Sequence, residues 1–139
     1  MSTGQFFAFL EPAEESALLA AAPLKTFQRG DVVLGHNVAL RAIFVIDRGS
    51  VQIERPDGAK MAPLALLARG DLFGEMSFVD GERTSGRAVA REPTDVRVID
   101  PGIIDSMSDV DPTFGSRLYR SIAAIVVKRL RTTSLDRYM

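Results

Sequence analysis

The chain has no cysteine, no tryptophan and a single histidine in 139 residues. Without thiols it makes no disulfide and offers no thiolate to a metal, and His36 alone cannot anchor a multi-histidine centre. A small barrel enzyme of the metal-dependent cupin type, which needs several histidines at one site, is disfavoured on that ground. Long apolar runs are missing too. No stretch approaches the roughly 18 residues that a membrane span requires, and the N-terminus lacks the charged and apolar regions of a signal peptide. The expectation is a cytoplasmic protein with no metal, no cofactor and no membrane span. Charge of one sign is also scarce, since 17 Lys and Arg against 18 Asp and Glu leave a net charge of -1. The last segment is locally basic, with Arg117, Arg120, Lys128, Arg129, Arg131 and Arg137 against Asp136 alone. That pattern reads as a solvated helix face, and no nucleic-acid contact is expected from a chain of this overall balance.

What is present is ordinary for a globular domain: 46% hydrophobic and 25% charged residues, in a length that suits one sizeable core. From Phe6 to Ala22, Pro12 followed by Glu14 and Glu15 makes a good first turn for a short helix, which Pro23 stops. From Leu24 to Ile99 come apolar stretches of strand length, VVL, AIFVI, VQI, PLALL, AVA and VRVI. Turns such as Arg55-Pro56-Asp57-Gly58 separate them, which predicts a mainly β fold with flanking helices, an antiparallel β-roll or jelly-roll barrel. After Asp100-Pro101 a short helix is predicted over Gly102 to Ser108, and Asp111-Pro112 opens a long C-terminal helix through about Arg131 or beyond. Leu118, Ile122, Ile125, Val126 and Leu130 recur on it at helical spacing, a stripe wide enough to pack on the barrel and also meet a partner helix. A single domain over residues 1–139 is expected, divided into an N-terminal helical segment (1–23), a β-roll (24–100) and C-terminal helices (101–139).

Residues 70–90, GDLFGEMSFVDGERTSGRAVA, crowd a turn, a short helix, a glycine turn and a strand together, the parts of a small anion pocket. Gly74 permits a bend, and Glu75 to Val79 can form one helical turn whose N–H groups attract an anion. The Glu75 carboxylate, an acceptor, suits a neighbouring sugar hydroxyl better than a phosphate. Asp80-Gly81 is a turn signal, and Thr84-Ser85-Gly86 sets two hydroxyls beside bare backbone, donors that suit phosphate oxygens.

GDLFGEMSFVDG, followed by a Ser and a small residue entering a strand, resembles the phosphate-binding cassette of cyclic-nucleotide-binding domains, the fold of the catabolite activator protein and of protein kinase A regulatory subunits. FQRGDVVLG and AIFVIDRGSVQIE resemble that family's first strands, with Gly30-Asp31 and Arg48-Gly49-Ser50 at its turns. VVKRLRTTSLDR resembles the end of its long helix, where a Thr-Ser pair touches the base. The resemblance implies ligand contacts from Phe73, Gly74, Glu75, Met76, Ser77, Arg83, Thr84 and Ser85 in the cassette and from Thr133 and Ser134 on the last helix. It further implies a non-catalytic sensor that binds cAMP or cGMP, relays this through the C-terminal helix, forms a homodimer there and works on a separate effector protein.

One position departs from the pattern. Counted without a gap from Glu75, the family's phosphate-binding arginine falls on Thr84, with Arg83 one place early. The ungapped register buries Ala88 and Ala90, so Arg83 or Arg87 replaces the arginine only by bending round, and an arginine restored at Thr84 should strengthen binding. The alternative reading is a family member that has lost its ligand and serves as a dimerisation or docking domain. Since the sequence stops at Met139 where the catabolite activator protein continues into a helix-turn-helix domain, no effector domain is expected within it. A freestanding module and a portion of a larger regulator, channel or transporter both stay open.

Overall fold

The computed structural model describes residues 6–133. Pro12 opens helix α1 (Pro12–Ala21), and the Glu14 carboxylate accepts from the Glu11 N–H at 2.9 Å, satisfying a donor at the start of the helix. Eight strands follow: β1 (Leu24–Phe27), β2 (Val32–Leu34), β3 (Ile43–Arg48), β4 (Ser50–Asp57), β5 (Lys60–Ala68), β6 (Leu72–Phe73), β7 (Arg87–Ala90) and β8 (Thr94–Ile99). Helix α2 (Glu75–Asp80) interrupts them between β6 and β7, and α3 (Pro101–Val110) and α4 (Phe114–Thr133) finish the described chain. The six apolar stretches read from the sequence are all strands. β1 and β6 are additions: LKTF is largely exposed and lacks an apolar run, and a two-residue strand leaves no periodicity to read.

The strands form two antiparallel four-stranded sheets, ordered β1-β8-β3-β6 and β2-β7-β4-β5, in a jelly-roll arrangement rather than one closed ring. β3 explains the layering. Ile43, Phe44, Val45 and Ile46 are all buried, as a continuous apolar run requires when both faces of a strand are covered. Phe44 and Ile46 face the inter-sheet core with Leu34, Val51, Phe73, Ala88 and Val96. Ile43 and Val45 face the opposite way, into a second core with Phe7, Leu18, Phe78, Ile104, Phe114, Leu118 and Ile122. The first sheet is thus sandwiched between the second sheet and the helices.

Helix α3 starts one residue before the predicted Gly102, with Pro101 at its first position and the Asp100 carboxylate accepting from the Ile103 N–H at 3.0 Å. On α4, Phe114, Leu118 and Ile122 stack at four-residue intervals on the core-facing side. The rest of the predicted stripe diverges: Ile125 packs on that core, while Val126 and Leu130 are 38% and 49% exposed.

Arg117 ties the helices together. Its guanidinium donates to both Glu14 oxygens near the start of α1, and to Asp111 at 2.8 Å in the α3–α4 connection. The bonds from Arg117 hold the Glu14 carboxyl below its ordinary value of 4.5. Asp111 is also held low, first by hydrogen bonds from Thr113 and then by the Arg117 charge. A carboxyl with a depressed folded pKa stabilises the fold above its ordinary value, and that stabilisation disappears as pH falls through the folded one. Melting temperature is therefore expected to drop more steeply below about pH 4.5 in the unaltered chain than in a Glu14→Gln variant. Parallel melting curves from pH 7 to 3 would refute the role given to this ion pair.

Candidate functional site

The cassette hangs on the end of β6, where Phe73 stacks on Phe44 of the neighbouring strand, ring centroids 5.0 Å apart. Gly74 has φ +85°, and a Cβ there would lie 2.7 Å from the Ala42 carbonyl oxygen and 3.1 Å from Phe44 Cδ1. Both the dihedral and the close approach demand glycine, so the bend that turns β6 into α2 is built into this position. α2 then runs from Glu75 and closes on Gly81, whose N–H donates to the Ser77 carbonyl. Its alternation is sharp: Glu75, Ser77 and Phe78 are buried, Met76 and Val79 exposed. Phe78 anchors the helix in the core and contacts the Tyr119 ring of α4, and Arg41 closes the other end, donating to the Phe78 carbonyl through Nε and Nη2 at 3.0 and 2.9 Å.

Glu75 is 8% exposed, and a buried carboxylate needs a partner. It has one in Arg129 of α4, whose Nη1 lies 2.5 Å from Glu75 Oε1 while its Nη2 donates to the Leu72 carbonyl. One guanidinium therefore joins the long helix to both the carboxylate and the strand that precedes it.

Beyond α2, Thr84 is buried and fully engaged. Its hydroxyl donates to the Gly35 carbonyl at 2.6 Å and accepts from the Val38 N–H at 2.9 Å. Two backbone bonds, Thr84 N–H to Val38 O and Asn37 N–H to Thr84 O, complete a staple to the β2–β3 loop. Arg83 donates to the Asn37 carbonyl at 3.0 Å in the same loop. Ala88 and Ala90 are buried, as the ungapped register requires, which turns Arg87 to the outer face of its sheet. There it pairs with Glu54 at 2.6 Å, and that bond holds the Glu54 carboxyl below its ordinary range.

The structure thus brings Phe73, Gly74, Glu75 and Ser77 together at the β6–α2 junction. Met76 and Ser85 are exposed, and Arg83 and Thr84 are committed to the β2–β3 loop. Thr133 is the last residue of α4, and Ser134 lies outside the described residues. The sequence pattern does not single out Arg129, which stands four positions before Thr133 in the chain. The staple also changes what an arginine at Thr84 does. Thr84→Arg removes a donor from the Gly35 carbonyl and an acceptor from the Val38 N–H, a loss of about 2 kcal/mol or more. A urea denaturation midpoint equal to that of the unaltered chain would refute the staple.

Among the described residues no cluster of His, Asp or Glu is arranged to hold a metal, and no helix is long and apolar enough to cross a membrane. The family model for the cyclic nucleotide-binding domain matches residues 24–110, from β1 to the end of α3. The cyclic GMP-binding protein C of Dictyostelium discoideum is 29% identical over 115 residues, 82% of this chain and 4% of that protein. The cyclic AMP receptor protein of Thermus thermophilus is 28% identical over 137 residues, 98% of this chain and 62% of that protein. The chain therefore spans less than two thirds of either relative. Among solved structures, the Thermus thermophilus catabolite activator protein superposes with a TM-score of 0.80 at 27% identity, covering 94% of this chain and 60% of that one.

Proposed function

Since the chain belongs to the cyclic nucleotide-binding domain family, we propose that it is a non-catalytic sensor module, working in the cytoplasm, which takes cAMP or cGMP at the cassette and relays occupancy through α4. The observation that carries the relay is the Glu75–Arg129 pair. A ligand's sugar hydroxyl placed on Glu75 competes with a guanidinium that belongs to α4. The bound and free states then differ in a contact made by the helix, which is the condition for a ligand to bias its position. Thr133 and Ser134, beyond Arg129, would meet the base. The exposed apolar side of α4, with Tyr119, Val126 and Leu130, would join a second copy, and a separate effector would read the result.

Isothermal titration with cAMP and with cGMP, paired with thermal melting, tests the reading. At a ligand concentration 100 times Kd the fold gains about 2.7 kcal/mol, a readily measured rise in melting temperature. Absence of heat and of any melting shift at millimolar nucleotide would instead favour a docking domain without a ligand. The burial of Thr84 as a staple is the observation on that side.

A further inference from the structure

Helix α4 carries basic residues and no acidic one over its 20 positions, in a chain whose net charge is -1. Two of its cations are committed inside the fold, Arg117 to Glu14 and Asp111, and Arg129 to Glu75 and the Leu72 carbonyl. Arg120, Lys128 and Arg131 are exposed, and among the described residues none of them pairs with a carboxylate. With about 3.6 residues per turn and a rise of about 1.5 Å per residue, the three fall within about 80° of one another and span about 16 Å of the helix. Ala124 and Val127, also exposed, lie among them, and their short side chains leave a partner's backbone room to approach the charges.

Arg120 is in addition held in position. Its guanidinium carbon lies 4.0 Å from the centroid of the Phe9 ring. Phe9 is itself fixed to α4, its N–H donating to Ser121 Oγ at 2.9 Å and its carbonyl accepting from Arg117. A guanidinium over an aromatic face keeps its fork of donors available at the edge, in the geometry a carboxylate accepts.

We propose that this basic side of α4 docks an acidic protein segment, whose carboxylates meet Arg120, Lys128 and Arg131. The proposal gives the chemistry of the effector in the sensor reading above and rests on that reading for its link to the nucleotide. A charged side on the helix that the ligand shifts gives the effector a surface whose position differs between the two states. The bulkier Tyr119, Val126 and Leu130 lie on the adjoining side, where a second copy is placed, and the basic side stays uncovered. An anionic bilayer fits less well, because attachment by charge takes about four to eight cations or bulky apolar groups beside them, and three cations around Ala124 and Val127 fall short. A nucleic acid is opposed by the overall charge of -1.

The probe is a fluorescently labelled deca-glutamate peptide, titrated by anisotropy at low ionic strength. The unaltered chain is compared with a triple variant, Arg120→Gln with Lys128→Gln and Arg131→Gln. A control triple, Lys25→Gln with Arg29→Gln and Lys60→Gln, removes the same charge from exposed positions elsewhere. The α4 variant is expected to bind about tenfold or more weakly, as three modest charge contacts imply, and the control to lose less than about threefold. Binding by the unaltered chain should also weaken as salt is added. Should the α4 triple fail to melt cooperatively, Lys128→Gln with Arg131→Gln decides, with an expected loss of about fivefold, and full affinity there refutes the docking side. Equal losses in the two triples would trace binding to net charge and overturn the proposal. So would an unaltered chain that does not bind the peptide, or one that prefers phosphatidylserine vesicles or duplex DNA at equal anion concentration. Repeating the titration with cAMP or cGMP keeps the two readings apart. Peptide binding without any nucleotide binding refutes the sensor reading alone, and nucleotide binding without peptide binding refutes the docking side alone.

Discussion

Glu75→Gln is expected to lower affinity for a cyclic nucleotide about ten- to hundredfold while leaving the fold nearly as stable. The amide keeps the size of the side chain and one acceptor, but it loses the charge that strengthens a hydrogen bond from a sugar hydroxyl. A hydrogen bond to a charged group contributes roughly 1.5 to 3 kcal/mol, and each 1.4 kcal/mol is tenfold in Kd. The stability term is smaller. Although Glu75 is only 8% exposed, the Arg129 side chain is 35% exposed, so water compensates much of what the guanidinium loses, and a cost below about 1 kcal/mol follows. Two measurements separate these effects, titration for binding and urea denaturation for folding. Amide hydrogen exchange adds a third, because the C-terminal turns of α4 lose the ion pair that helps tether them, while the Arg129 bond to the Leu72 carbonyl stays, and should exchange faster in the variant. Equal affinity would remove Glu75 from the ligand site, and equal exchange would remove it from the relay.

The largest stability effect is expected at the β3–β4 turn. Gly49 has φ +94°, which strains any residue with a Cβ by about 1 to 2 kcal/mol. Here the space is closed as well: a Cβ would lie 2.4 Å from Thr94 Oγ1, 2.5 Å from the Pro93 carbonyl oxygen and 2.8 Å from Thr94 Cα. None of these is the far end of a flexible side chain. Thr94 is fully buried, and its hydroxyl joins the Glu92 and Ser50 carbonyls and the Ser50 N–H, so moving it disturbs the connection between both sheets. Overpacking of this kind adds about 1 to 3 kcal/mol, and Gly49→Ala is expected to lower the melting temperature by about 10 °C or more. Gly58 supplies the control, since it also has positive φ (+63°) but nothing within 4 Å of the place a Cβ would take. Gly58→Ala should lose only the dihedral strain. Equal melting temperatures for the two variants would show that contact at Gly49 is relieved without consequence.

Both predictions rest on positions that stand out in the sequence for local reasons. Gly49 and Gly74 mark turns because only glycine occupies positive φ freely, and both hold positive φ in the structure. The short helix after Gly74 is predicted over Glu75 to Val79 and runs to Asp80. The inward direction of Ala88 and Ala90 follows from a period of two counted along the strand, and it places Arg87 outside correctly. The strands β1 and β6 escape the same reasoning because neither carries enough alternating apolar residues to be read.

The contacts that assign roles within the site have a different origin. Nothing near Thr84 in the chain marks it as a staple, because its hydroxyl partners stand 46 and 49 residues away. Nothing near Glu75 names Arg129, which is 54 residues on and reaches it only because Phe114, Leu118 and Ile122 seat α4 beside the cassette. Periods of two and 3.6 residues and positive-φ turns are properties of a few neighbouring residues, so strands, helices and the bend at Gly74 can be read from the amino acids in order. Which charge meets which carboxylate depends on how those elements pack. Here that packing put an arginine of the last helix on Glu75 and left threonine, where the family resemblance expects arginine, holding a loop.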